Sequence, residues 1–193
     1  MCGITGWLNN VSNKIAIDCL LNASSRGCDG FGILVIDSLE LIKEAKRFDK
    51  GDYIPDLNKK SVLAHFRLHT ILNTSNDKKY IQPLKYKHYY ISHNGYLKNI
   101  QTKESDSLFL LKKIVDNNYM LKNIILNIDH VIKQLKIKQI AISIYDYKRR
   151  VFYLYRKDMP LFLSQKHGAF CSKPIDKSFK LIKNKKQEYL ING

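Results

Sequence analysis

Acidic side chains are what this chain has least of relative to their counterparts: 17 Asp and Glu face 33 Lys and Arg, a formal net charge of +16 over 193 residues. Proline and cysteine are sparse too, at four each, and there is one tryptophan. So few prolines, with nine glycines spread along the chain, exclude a collagen-like or linker-type composition. Cys2, Cys19, Cys28 and Cys171 form no CxxC pair and no zinc-ligand spacing. A chain of this size needs no disulfide staples, so they read as reduced thiols. Long hydrophobic runs are missing as well. The runs "FGILVI" and "NIILNI" fall far short of the ~20 residues a membrane-spanning helix requires. The N-terminus lacks a basic segment followed by an apolar one. No membrane association is expected, and the expected location is cytoplasmic.

What is present is a 45% hydrophobic composition, enough to build a core, so a single domain over 1–193 is expected. The basic excess admits two readings. An anionic partner, nucleic acid or an acidic protein surface, would exploit it. A chain rich in Lys, Asn and Ile would carry it without any partner. The doublets Lys59-Lys60, Lys78-Lys79 and Lys185-Lys186 are scattered, with no RNP, zinc-finger or helix-turn-helix pattern around them. The compositional reading is preferred, and no nucleic-acid partner is expected.

Hydrophobic periodicities alternate along the chain. The stretches "GITGWLN", "FGILVID", "SVLAHFRL" and "KHYYISH" read as strands, and "KIAIDCLLNAS" as a short helix. "SDSLFLLKKIVDN" opens on cap-type residues and repeats apolar positions at helical spacing, so it is a second helix, followed by a third over 119–135. "KQIAISIYDYKRRVFYLYR" reads as a hairpin turning at Asp146 to Arg150. Strands, then helices, then strands again point to packed α+β layers.

Chemistry enters at "MCGITGWL". If Met1 is removed, Cys2 carries a thiol and a free α-amine on one residue, a nucleophile with its own base, since an α-amine titrates near ~7.7–8.0. In "AHFRLHT", Arg67 lies in an otherwise apolar strand, where a guanidinium calls for a carboxylate of the protein or of a ligand. His65 and His69 in the same stretch lack the intervening Glu and helical context of a zinc motif, so no metal is expected. The Asn-Gly of "ISHNGYLKN" is first a turn signal. Functionally, the Asn94 amide and the Gly95 N–H can point at one oxygen and form an oxyanion hole. In "ESDSLF", Asp106 at a helix start either caps the helix or grips a substrate ammonium.

Together these stretches resemble the class II glutamine amidotransferases, which are N-terminal-nucleophile (Ntn) hydrolases. "MCGITG" is similar to that family's Cys-Gly-Ile-x-Gly start, "SSRGCDGFG" to its Arg-Gly-x-Asp-Gly-x-Gly loop, and "AHFRLHT" to its His-x-Arg-x-x-Thr strand. "QPL" follows the glutamine loop, "SHNGYLKN" resembles the His-Asn-Gly-x-(Ile/Leu)-x-Asn signature, and "SDS" stands where Ser-Asp-Thr is usual. "RKDMPLFL" and "FCS" resemble Arg-Asp-x-x-Pro-Leu and Phe-Ala-Ser segments. The chain departs from the pattern at Leu68, where some branches place an aromatic residue, and at "TIL".

The resemblance implies a four-layer αββα sandwich of antiparallel sheets. It implies Cys2 as nucleophile, Asn94 and Gly95 as oxyanion hole, Arg67 with Thr70 on the glutamine α-carboxylate, and Asp106 on the α-ammonium. The implied reaction is hydrolysis of L-glutamine through a Cys2 thioester, with no cofactor and with ammonia passed to a separate synthetase. The polar stretch "NTSNDKKY" is expected to close over the substrate. Two other functions stay open: hydrolysis of another γ-glutamyl amide, and a catalytically dead basic module that binds nucleic acid.

Overall fold

The first helix forms where the sequence places apolar residues three and four apart behind a capping serine. In the computed structural model, which describes residues 1–9, 11–54, 56–68, 77–97, 104–117, 123–183 and the backbone of 191–192, the Ser12 hydroxyl accepts the Ile15 N–H and starts this helix. The elements in chain order are β1 (Gly3–Trp7), α1 (Asn13–Ser24), β2 (Gly30–Val35), β3 (Glu40–Glu44), β4 (Val62–Arg67), β5 (Leu84–Tyr86) and β6 (Tyr89–Gly95). They continue with α2 (Asp106–Asp116), α3 (Ile124–Gln134), β7 (Ile140–Asp146), β8 (Val151–Lys157), β9 (Phe162–Ser164), β10 (Ala169–Cys171), β11 (Lys180–Leu181) and β12 (Ile191–Asn192).

The strands form two antiparallel sheets, one ordered β11-β9-β10-β1-β4-β2-β3 and one ordered β12-β8-β7-β6-β5. Each buries both faces, and the period of two along a strand decides what goes where. From the larger sheet, Trp7, Val62, Ala64, Phe66, Phe31 and Ile33 turn outward onto Ile15, Ala16, Cys19, Leu20 and Ala23 of α1. From the smaller sheet, Ile91, Ile142, Ile144 and Tyr153 turn outward onto Leu110, Ile114, Ile128 and Val131 of α2 and α3. The intervening residues, among them Ile4, Leu34, Leu63, Tyr90, Tyr145, Phe152, Leu154 and Phe170, fill the space between the sheets. There the Phe152 and Phe170 rings, one from each sheet, meet edge-on at 5.0 Å. The result is the expected αββα sandwich in four layers.

Close approach of α1 to its sheet depends on Gly3. A Cβ there would lie 1.9 Å from the Ala23 carbonyl oxygen, so any side chain would push the helix away from β1.

Two local expectations are corrected. The Asn-Gly pair is not a turn: Asn94 and Gly95 are the last residues of β6, paired with Ala141 and Ile140 of β7. The helix expected over 119–135 runs from Ile124 to Gln134, opened by the Asn123 side chain, which accepts the Ile125 and Leu126 N–H groups. Residues 118–122 lie outside the described residues. The β7–β8 hairpin turns where expected, with Asp146 Oδ1 accepting the Lys148 and Arg149 N–H groups.

Candidate active site

The alternation that builds the layers also builds the site. On β4, Leu63 faces the inter-sheet space, so His65 and Arg67 share that face; on β6, Tyr90 faces it, so Ser92 and Asn94 do likewise. Residue 2 precedes β1 with the same parity as Ile4. Gly3 pairs with Phe66, which sets Cys2 beside the C-terminal end of β4. One mouth of the sandwich therefore gathers Cys2, Arg67 and Asn94.

Three contacts hold Cys2. Its N–H donates to Asn94 Oδ1 at 3.2 Å, its carbonyl accepts from Arg26 Nε at 3.2 Å, and its sulfur sits against the Leu68 backbone, 3.5 Å from the N and 3.7 Å from the O. Burial raises the thiol pKa above its ordinary value. The Leu68 N–H, the N-terminal amine and Arg67 pull against that rise, while Asp106 adds to it. Arg67 and Asp106 therefore both act on the sulfur from nearby.

Asn94 spends its oxygen on Cys2 and keeps its donor. Nδ2 is buried and meets no hydrogen-bond partner among the described residues. A buried donor left unsatisfied costs about 1–3 kcal/mol, so Nδ2 is a group that an acceptor oxygen would complete. Gly95 follows with φ +156°, and a Cβ there would lie 2.9 Å from the Gln139 carbonyl oxygen. A side chain is excluded at that point.

Asp106 is not the helix cap that its position allowed. The Ser105 hydroxyl accepts the Leu108 N–H and caps α2, leaving Asp106 as the first helical residue. Its carboxylate stands 3.9 Å from His93 Nε2 and accepts from the Ser107 hydroxyl at 3.3 Å. Thr70, assigned beside Arg67, and His69 lie outside the described residues, as do residues 73–76 of the polar stretch expected to close over the site.

Sequence reasoning gave no role to several groups that the fold brings here. Arg26, quoted only as part of a motif, holds the Cys2 carbonyl. His93 is fully buried at the back of Asn94, and its pKa is lowered by burial against the opposing pull of Asp106. His65 is buried, and its pKa is pushed down to about 3 by burial, with the charges of His93 and Arg67 adding to the effect and a contact with the His93 backbone opposing it. Among the described residues no group of three His, Cys, Asp or Glu is arranged to hold a metal ion, and no helix is long and apolar enough to cross a membrane.

No protein-family model matches the chain, and no curated protein does. Solved structures do. One is a glutamine phosphoribosylpyrophosphate (PRPP) amidotransferase from B. subtilis complexed with ADP and GMP, with TM-score 0.62, 18% identity, 89% of this chain covered and 42% of that one. Another is described as the allosteric regulatory enzyme of purine biosynthesis, with TM-score 0.63, 19% identity, 89% of this chain and 41% of that one. The fold is that of the N-terminal-nucleophile hydrolases. The likeness drawn from the motifs thus holds at the level of fold, and the first of these structures is described as an amidotransferase. The chain spans about two fifths of the length of these Ntn-hydrolase neighbours.

Proposed function

We propose that the chain is a glutaminase: it hydrolyses L-glutamine at Cys2 and delivers ammonia to an acceptor-binding synthetase domain or subunit. The observation that carries this reading is the pairing of Cys2 with Asn94, in which the amide oxygen accepts the Cys2 N–H while the buried Nδ2 meets no hydrogen-bond partner among the described residues. In the reaction, Cys2 with Met1 removed uses its α-amine to take the thiol proton. The buried thiol needs such a base, because burial opposes ionisation. The sulfur attacks the side-chain amide carbon, and the oxygen that becomes negative is met by Asn94 Nδ2 and the Gly95 N–H. The α-ammonium returns its proton to the leaving nitrogen, ammonia departs, and water, activated by the same amine, opens the thioester to glutamate. Arg67 grips the α-carboxylate and Asp106 the α-ammonium, so the amide is presented to Cys2 in one orientation.

Steady-state release of glutamate from L-glutamine, set against a panel of γ-glutamyl peptides and γ-glutamyl amines, tests the reading. Glutamine is expected to have the highest kcat/KM. A clear preference for a γ-glutamyl amine would transfer the assignment to a γ-glutamyl amide hydrolase, and salt-sensitive DNA or RNA binding without hydrolysis would transfer it to a binding module.

A further inference from the structure

We propose that Gln82 is a positioning residue that holds the oxyanion donor of Asn94 in place by completing the edge of β6 with its side-chain amide. This rests on the function proposed above and adds a residue to it. Strand β5 pairs with β6 only from Tyr86↔Tyr89 to Leu84↔Ile91. In that register the next backbone partner of β6 would be Gln82 opposite His93, but the Gln82 carbonyl is turned onto Gly32 of β2 instead, so the backbone ladder ends at Leu84. His93, further along β6 and directly before Asn94, still presents a buried N–H and C=O on that side.

The Gln82 side chain takes both. The His93 N–H donates to Gln82 Oε1 at 2.6 Å, and Gln82 Nε2 approaches the His93 carbonyl oxygen at 3.4 Å. One primary amide thus stands in for a peptide group of the missing strand. The same Nε2 lies 3.4 Å from His93 Nδ1, and the ring's other nitrogen, Nε2, stands 3.9 Å from Asp106 Oδ2. The backbone of Gln82 belongs to the other side of the sandwich. Its carbonyl oxygen would lie 2.1 Å from a Cβ on Gly32 of β2, a contact that only glycine permits. Gln82 is itself buried, and Ile81 beside it is fully buried in the core. Gln82 therefore spans from one sheet to the other and fixes the residue that carries Asn94 and, through the imidazole, the one that faces Asp106. Apolar side chains of the same length could fill the space, but they would leave the His93 N–H and C=O unpaired and Asn94 free to shift. A misplacement of about 1 Å in a catalytic group can cost on the order of a hundredfold in rate.

The test uses the full chain with Met1 removed and compares Gln82→Met and Gln82→Glu with the wild type. For Gln82→Met, hydrogen exchange at the His93 amide is expected to accelerate at least about tenfold. Its kcat for glutamine is expected to fall about ten- to hundredfold with KM within about threefold. Alkylation of Cys2 by iodoacetamide, which needs no oxyanion donor, should stay within about twofold, a split that a general structural defect would not produce. Gln82→Glu keeps an acceptor for the His93 N–H and thus its slow exchange. It removes the donor that faces the His93 carbonyl, so kcat is expected to fall about tenfold with KM within about threefold, and an unchanged kcat in the folded Gln82→Glu variant would overturn the proposal. It carries the test if the methionine variant does not fold. Unchanged exchange in Gln82→Met, unchanged kcat, or equal losses in turnover and alkylation would each overturn the proposal. A wild type that turns over no glutamine overturns the function proposed above, and the exchange at His93 still decides the clamp.

Discussion

A thiol buried as Cys2 is keeps its proton at neutral pH unless a base stands beside it, and on the proposed mechanism that base is the α-amine that Cys2 would carry once Met1 is removed. A glutamine-mimicking diazo-ketone is therefore expected to add one mass to the peptide beginning at Cys2. Retention of Met1, or Cys2→Ala, should abolish the adduct, and intact mass with peptide mapping reads both; an adduct on Cys28 or Cys171 instead would reject the nucleophile. The remaining residues divide by when they act. On the proposed mechanism Asn94 would meet charge that develops only during reaction, so Asn94→Ala should lower kcat by roughly 10²–10³ with KM little changed. Arg67 would meet a charge present throughout, so Arg67→Lys, which loses the bidentate fork, should mainly raise KM. Equal glutamine kinetics in the two variants and the wild type would remove both from the pocket. His65 makes a prediction about stability rather than rate. Its folded pKa of about 3 lies below the unfolded value of 6.5, so the unfolded chain binds a proton between those values that the folded chain does not. Stability is unaffected above pH 6.5 and falls as pH drops below it, by about 2 kcal/mol at pH 5 from this group alone. His93, shifted in the same direction by burial, adds to the fall. Urea unfolding at pH 7 and pH 5 should show a difference smaller by about that amount in His65→Leu, and an identical difference would mean that His65 does not titrate in this window.

One residue of displacement at the start of α2 separates a cap from a ligand. Ser105 takes the capping bond, and Asp106 is left to face the cleft. Ser105→Ala should cost ~1 kcal/mol of stability with KM for glutamine near the wild-type value, whereas Asp106→Asn should raise KM with little change in melting temperature. Thermal melts and glutamine kinetics on the pair check this, and the reverse pattern would restore Asp106 as the cap. The sequence carries this helix openly because apolar residues recur at helical spacing behind Ser105, and it carries β1, β2, β4, β6 and the β7–β8 hairpin because their runs are long and β-rich. The two-residue parity along β4 and β6 even assigns Arg67 and Asn94 to one face. What it does not carry are elements whose existence depends on a distant partner. Strands β9 to β11 are two or three residues each and persist by pairing edge to edge in the larger sheet. Asn94 and Gly95 read as a turn from their own preferences, yet pairing with Ala141 and Ile140 keeps them extended. Gln82 is legible only once the point at which β5 stops is known.

At the scale of the whole molecule, Cys2 and Asn94 lie at one mouth of the sandwich, and Met1 and Tyr96, next to Cys2 and Gly95 in the chain, are exposed. A glutaminase open to solvent there would release ammonia into water and waste its substrate. Productive transfer needs a second surface to cover the mouth and a signal that an acceptor is bound. On the function proposed above, a synthetase domain or subunit would supply that surface. The isolated protein is therefore expected to hydrolyse glutamine slowly. Adding its cognate synthetase, saturated with acceptor and nucleotide, should raise kcat/KM at least about tenfold, because closure orders the site and excludes water. With a net charge of +16, the chain should dock an acidic face. Electrostatic docking between exposed charges weakens as the Debye length shortens from about 10 Å at 0.1 M salt to about 3 Å at 1 M. Stimulation measured at subsaturating synthetase should then decline steeply with added salt, while the basal rate of the isolated chain, set inside the cleft, should change little. Copurification from the native host supplies the synthetase, and stopped-time assays of glutamate release over a salt series supply the rates. Full activity of the isolated chain would remove the need for a partner in catalysis. Salt-independent stimulation would keep the partner and discard the basic surface as its docking site.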